Sequence, residues 1–290
     1  MTTSPARRRP LLAAHSWSFP HLDLPAACRH AASLGYEALD LGSGDFGVLT
    51  GIDVPTVVAD EQFPVRARRA AGAAGIVYTD HFVVLPHAVN DPEPGRAAEN
   101  AEVFRALVPR LVAAGIPGVT FSPGFYAGRS WDEAFASAAS ALRDLIAIGS
   151  GLQVRIEAHV DSVADTPRRA LDLLNQVRGL TLTLDYSHFV VAGFAEDEIE
   201  QLTPFASHMH IRQARPGELA VEVARGTIDV RRLLSRLLAG GYAGAIAIEY
   251  VSHPWHGQDR IDVTTENAAI LAEVRAILAE PDGARAGDRS

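Results

Sequence analysis

The sequence predicts an α/β protein folded as a single (β/α)8 barrel. Three observations carry this. Short apolar or β-branched runs alternate with longer Ala/Leu/Arg-rich stretches of helical period. Glycines stand between a helical stretch and the run that follows it. Four of the later runs end in an ionisable residue, as suits a barrel whose strand ends converge on one face.

The elements follow in chain order. Strand one is expected near Leu11–Ser18 and a helix near Pro25–Leu34, closed by Gly35. Strand two, Ala38–Leu41, leads to a helix over Pro55–Ala71 and to Gly75. Strand three, Ile76–Phe82, precedes a helix over Arg96–Ala114, closed by Gly115. Strand four, Gly118–Ser122, precedes a helix over Trp131–Ile148, with Gly151 next. Strand five, Gln153–His159, leads to Asp165-Thr166-Pro167, a helix cap with proline in the first turn, and a helix over Thr166–Gln176 ending before Gly179. Strand six, Leu180–Asp185, precedes a helix over Glu196–Leu202. Strand seven, His208–Arg212, precedes a helix over Val230–Ala239, closed by Gly241. Strand eight, Ala245–Tyr250, is followed by a last helix over Thr264–Leu278. Residues 1–10 and 280–290 read as polar tails, the first flexible and the second disordered, and leave 11–279 as one domain. A doubly wound open sheet would want a glycine-rich phosphate loop after an early strand, and none is present.

Composition narrows the chemistry. At 290 residues and 48% apolar, the chain can bury one large core. A net charge of −9 and the lack of a basic stripe argue against nucleic acid as a partner. One cysteine, Cys28, excludes an internal disulfide and a cysteine-rich zinc site. No apolar run reaches membrane-spanning length and LLAAH is too short for a signal peptide, so a soluble cytoplasmic protein is expected. All 26 basic residues are arginine. Without lysine, Schiff-base aldolase, pyridoxal phosphate and P-loop chemistries lose their usual central group.

Glu157, Asp185, His210 and Glu249 end strands five to eight, each about one βα unit from the next. Side chains alternate along a strand. With Glu249 inward, Ala247 and Ala245 also face in, while Ile248 and Ile246 face the helices. With Asp185 inward, Thr183 and Thr181 follow it and Leu184 and Leu182 face out. Arg155 shares the parity of Glu157 and is placed to brace the carboxylates from below. Three carboxylates and an imidazole facing one cavity repel unless a cation balances them. Their mixed oxygen and nitrogen donors suit one divalent ion, Mn, Mg, Co or Zn.

The segments Leu184-Asp185-Tyr186-Ser187-His188-Phe189, His208-Met209-His210-Ile211-Arg212 and Ile248-Glu249-Tyr250 resemble the xylose isomerase-like TIM barrel superfamily, which holds the sugar phosphate isomerase/epimerases and ketose 3-epimerases. The resemblance runs from about His15 to the last helix. It implies metal ligands at Glu157, Asp185, His210 and Glu249 and a substrate-binding histidine at His188. It places a substrate-binding arginine in the loop after strand seven at Arg215, with Arg212 as the competitor. The ketose epimerases carry a second glutamate shortly after the strand-five ligand; His159-Val160-Asp161-Ser162-Val163 has none.

Such a site polarises a sugar carbonyl and its neighbouring hydroxyl, while Glu157 and Glu249 serve as catalytic base and acid. The expected function is isomerisation or epimerisation of a sugar or sugar phosphate, the partner being a small carbohydrate or polyol, with homo-oligomerisation left open. Further candidates for substrate contact are His159, just past Glu157, Trp17 at the end of strand one, and His253 after strand eight. His208 reads as an interior histidine one layer below His210, and Asp40 ends strand two with no partner identified. A dehydratase of an inosose or dehydroshikimate is the alternative, since the same site can expel a hydroxyl β to the carbonyl. Endonuclease IV-like phosphodiester cleavage needs extra histidines on strands two to four, where only His81 and His87 lie near strand three. A sugar sensor without catalysis would lose a ligand, and all four are present.

Overall fold

The computed structural model describes residues 9–44, 49 and 52–280. Eight parallel strands close a barrel in chain order: β1 (Leu11–His15), β2 (Ala38–Gly42), β3 (Val77–Phe82), β4 (Gly118–Phe121), β5 (Gln153–Glu157), β6 (Thr181–Asp185), β7 (Ala206–Ile211) and β8 (Ala245–Ile248). Around it run α1 (Leu24–Ser33), α2 (Val54–Ala59), α3 (Phe63–Ala74), α4 (Pro94–Ala114), α5 (Trp131–Ile148), α6 (Pro167–Gln176), α7 (Ser187–Val191), α8 (Glu196–Glu200), α9 (Val230–Ala239) and α10 (Val263–Ala279). This is the single (β/α)8 TIM barrel expected from the alternation. None of these helices is long and apolar enough to cross a membrane.

Local chemistry starts the helices. Asp23, Thr166 and Asp229 each accept a backbone N–H three residues on, opening α1, α6 and α9. Ser130 and Glu133 form a reciprocal capping box at α5. The six glycines expected between helix and strand all hold positive φ. One expected helix, Pro55–Ala71, is instead α2 and α3. The Asp60 carboxylate accepts from Gln62 N at 2.8 Å, which favours a turn over a continued helix. Strand one also ends early: His15 Nδ1 accepts from Trp17 N at 3.2 Å and turns Ser16–Ser18 into a 3-10 helix. Of the expected tails, residues 1–8 and 281–290 lie outside the described residues. Arg9 pairs with Glu37, and Glu280 with Arg231.

Parity holds as expected. Leu182, Leu184, Ile246 and Ile248 join the main apolar core between sheet and helices, with Phe104, Leu142, Leu173 and Ile270. Each such side chain contributes roughly 1.5–3 kcal/mol on burial. Ala13, Ala38 and Ala247 meet separately inside the barrel.

Below the site the barrel interior is polar. Arg155 Nη1 donates to Asp80 Oδ1 at 2.7 Å, and Arg155 Nε to Ser207 Oγ at 2.8 Å. Thr120 Oγ1 donates to Asp80 Oδ2 at 2.5 Å and lies 2.5 Å from Thr183 Oγ1. Arg155 does face inward, but the carboxylate it braces is Asp80 of β3, not the strand-five to strand-eight set. Gly118 makes this possible: a Cβ there would fall 1.8 Å from Arg155 Nη1.

Two predictions follow from this interior. Arg155→Leu would leave Asp80 as an uncompensated buried charge and should cost about 3–5 kcal/mol in urea unfolding. The second concerns acid. Burial pushes His15 and His159 down to about 4 and His81 down to about 3, from 6.5. Above pH 6.5 these rings are neutral in both folded and unfolded chains. As pH falls below 6.5 the unfolded chain binds protons that the folded chain refuses, so stability drops down to about pH 4, and further for His81. Neither ring nitrogen of His81 has a hydrogen-bond partner among the described residues. His81→Leu should therefore show a shallower fall in Tm between pH 6.5 and 4 than the parent; an equal slope would refute this.

Candidate active site

At the C-terminal ends of the strands a cavity of about 400 Å³ opens, with Glu157 and Glu249 among its lining residues. Glu157 is the last residue of β5, Asp185 of β6, and His210 the last but one of β7; Glu249 follows β8 directly. All four are at most 4% exposed. Register sets them side by side: Glu157 follows Arg155 opposite Thr181, Asp185 pairs with His210, and His210 with Ala247.

His210 sits at the centre. Its Nδ1 lies 2.6 Å from Glu157 Oε1 and 3.3 Å from Glu249 Oε2. Its Nε2 lies 3.3 Å from Asp40 Oδ2, across the barrel. Asp40 also accepts from His208 Nε2 at 2.5 Å and from the Thr79 hydroxyl. Burial opposes a charged ring, yet Glu249 and Glu157 outweigh it and hold the His210 imidazole well above its ordinary pKa. Burial likewise opposes ionisation of Glu157, but the charge on His210 holds that carboxyl well below the usual range. Glu249 is lowered too: His210 and Arg212 overcome the effect of burial. The glutamates are thus ionised beside a protonated imidazole.

Arg212 supplies the second cation. Its Nη2 donates to Asp185 Oδ2 at 2.8 Å and to His188 Nε2 at 3.0 Å. Its Nη1 donates to Gln258 Oε1 at 3.0 Å and lies 3.3 Å from Glu249 Oε2, and its Nε donates to Ser187 Oγ at 2.9 Å. Asp185 is fixed from its other side by the Ser187 N–H at 2.8 Å. Because His188 Nε2 accepts, the ring proton of a neutral His188 sits on Nδ1, which has no partner among the described residues. His159 donates from Nδ1 to the Val160 carbonyl at 2.6 Å and accepts from Ser122 Oγ at Nε2, 2.7 Å away.

Trp17, His159, His188 and Arg212 all line the cavity with Glu157 and Glu249, while Asp185 and His210 sit behind that lining. Trp17 lies close against β2, for a Cβ on Gly42 would fall 2.5 Å from its Nε1. Two expected residues are not brought in. Arg215 forms a tight turn with Glu218, bonded through backbone and side chain, and lies 37% exposed at its side chain. The arginine at the cavity is therefore Arg212, which shares the inward parity of His210. His253 accepts from Trp255 N at 3.1 Å and is not in the cavity lining; Trp255 is. Residues that sequence reading left unassigned also take part: Asp40 through the histidines, Gln258 through Arg212, and the apolar loop after β3.

The donor set fits a divalent ion. Ligand atoms of Glu157, His210 and Glu249 lie within 4.8 Å of one another, as do those of Glu157, Asp185 and His188. Among the described residues no hydrogen bond reaches the buried Glu249 Oε2, although His210 Nδ1 and Arg212 Nη1 both stand 3.3 Å away. A third such group, Asp40, His208 and His210, lies deeper and shares only the imidazole.

Comparison with known proteins places this geometry. No curated protein matches the chain. Among solved structures, D-psicose 3-epimerase from Clostridium cellulolyticum H10, in complex with D-tagatose, superposes with a TM-score of 0.73 at 16% identity, covering 92% of this chain and 99% of that one. The IolI protein with a bound zinc atom gives 0.72 at 17% identity, covering 93% and 100%. The apo form of 3-keto-D-glucoside 4-epimerase, YcjR, from E. coli gives 0.71 at 16%, covering 92% and 100%. At such identities these likenesses establish the fold. The family model for the xylose isomerase-like TIM barrel matches residues 28–276, and the chain belongs to that family.

Proposed function

We propose that the protein is a divalent-metal-dependent isomerase or epimerase of a small sugar or polyol, working in the cytoplasm. The observation that carries this is the pair of buried glutamates, Glu157 and Glu249, that line one cavity and both approach His210 Nδ1. The structural neighbours named above include two sugar epimerases, which supports the same reading. Glu157, Asp185, His210 and Glu249 would hold one ion, Mn, Mg, Co or Zn. When bound, that ion would supply positive charge beside the substrate's carbonyl and adjacent hydroxyl oxygens.

The remaining work falls to the chain. One glutamate removes the proton on the carbon next to the carbonyl, giving an enediolate. That glutamate, now protonated, returns it, or passes the proton to the other glutamate, which then returns it. Return to the opposite face of that carbon gives an epimer, and return to the neighbouring carbon gives an isomer. His188 and His159 line the cavity beside the glutamates and would shape the space for the substrate, with both His159 nitrogens already held by Val160 and Ser122. Arg212 fixes Asp185 and Glu249 in place and, after His210, helps hold the Glu249 carboxyl below its usual range.

A screen of ketoses, sugar phosphates and inososes in D2O tests the reaction. The metal-loaded enzyme should exchange deuterium into the carbon beside the carbonyl, and Glu249→Gln should lower turnover and exchange by roughly 10²–10⁴-fold with an unchanged circular dichroism spectrum. No exchange with any of these compounds would sink the reading, and loss of water without an isomer would replace it by the lyase.

Metal uptake gives a separate check. His210 Nδ1 must lose its proton to become a ligand, so affinity for manganese should rise with pH, and calorimetry in two buffers should read about one proton released per ion. Asp40 faces the far nitrogen of the same ring, so Asp40→Asn should weaken the ion by roughly 10–100-fold. Wild-type protein that takes up no manganese would refute the metal.

A further inference from the structure

The cavity has two unlike halves. Over β5 to β8 it carries the polar groups Glu157, His159, His188, Arg212, Glu249 and Gln258, beside the apolar Val251 and Trp255. Over β3 it is walled by Phe82, the loop run Val83 to Val89, and Phe125. Within that run only His87 has a polar side chain, and its Nε2 lies 2.8 Å from Glu99.

The loop's backbone offers little in exchange. Val83 N donates to the Thr120 carbonyl at 2.8 Å, Val84 N to Ser43 Oγ at 2.8 Å, and His87 N to Asn100 Oδ1 at 3.1 Å. Asn100 Nδ2 donates to the His87 and Ala88 carbonyls at 3.0 and 3.2 Å. Pro86 has no N–H. Asn100 thus takes up the His87 N–H and the His87 and Ala88 carbonyls; Val83, Leu85 and Val89 join the buried core behind the lining, and Val84 and Pro86 stand exposed in it. Two of the apolar residues stay open at the mouth, Val84 at 39% and Phe125 at 41% exposure. Exposed apolar groups of this size beside a polar site mark a place for an apolar ligand.

Phosphate is poorly served there. Among the described residues Arg212 is the sole arginine in the lining, and its donors are taken by Ser187, Gln258, Asp185 and His188. The chain has no lysine. A free monosaccharide fits no better, because its hydroxyls would lie against the β3-loop wall without partners, each opposing binding.

We propose that the substrate is bipartite and unphosphorylated: a sugar or polyol ring bearing an apolar aryl substituent. The ring sits over β5 to β8, and the aryl group sits between the β3 loop and Phe125. This deepens the isomerase/epimerase reading and rests on it for the placing of the ring.

The test compares phenyl β-D-glucopyranoside, methyl β-D-glucopyranoside and D-glucose 6-phosphate by calorimetry on the manganese-treated full chain. The phenyl glucoside should bind about tenfold or more tightly than the methyl glucoside, through the extra apolar area it buries. The phosphate should bind no more tightly than the methyl glucoside. Leu85→Gln and, independently, the surface change Phe125→Ser should each bring the phenyl glucoside down to the methyl glucoside's affinity. Equal affinities in the parent, a phosphate that binds most tightly, or no binding of the phenyl glucoside would each overturn the proposal. Manganese uptake is read on the same samples. A phenyl preference without uptake would support the apolar subsite while removing the metal-dependent reaction.

Discussion

The structure turns on buried negative charge. Asp40, Glu157, Asp185 and Glu249 are all within the barrel and at most 4% exposed. Each buried carboxylate costs several kcal/mol unless paired and hydrogen-bonded. The surrounding groups are arranged as if to meet that cost. His210 stands between three of the carboxylates, contacting two through Nδ1 and one through Nε2. Arg212 takes the fourth, Asp185, and also reaches Glu249. Even the short α7 follows from this, since its Ser187 gives a backbone N–H to Asp185 and a hydroxyl to Arg212.

The layers beneath fit the same demand. Ala13, Ala38 and Ala247 form a ring of small side chains inside the barrel. On the same three strands, two residues further on, stand His15, Asp40 and Glu249. Small residues below leave volume for imidazoles and carboxylates above, the alternation of sizes that close packing requires. On the other side Arg155, Asp80, Thr120, Thr183 and Ser207 bond to one another. The two polar networks occupy adjacent layers, so the floor of the site is itself fixed by hydrogen bonds.

The barrel was legible because period and punctuation agree along the chain. The four strand-end residues were legible for a related reason, since each is an ionisable group ending an apolar run. The resemblance put Arg215 ahead of Arg212, and the structure brings Arg212 to the cavity instead. Parity separates them in retrospect: Arg212 is two residues past His210 and faces in, while Arg215 belongs to a turn where alternation no longer applies. Asp40 showed the same strand-end signal but no partner, because its partners lie on β7, across the barrel and 168 residues away for His208. The apolar half of the cavity had a signal as well. Phe82 to Val89 stays apolar beyond the end of a strand, where a solvated loop would be polar, and only His87 interrupts it.

The loops above the polar half meet each other. Asp161 has φ 66, and its Oδ2 lies 3.0 Å from His256 Nε2. His256 also has positive φ, 52. An exposed pair of this kind contributes only about 0.2–1 kcal/mol, too little to hold two strained loops together. The packing between them is more substantial. Trp255 lies 6.2 Å from the His159 ring and 6.0 Å from the His188 ring, measured between centroids. The loop after β8 is therefore seated on the histidines of β5 and β6, so the polar half is roofed while Val84 and Phe125 leave the apolar half open.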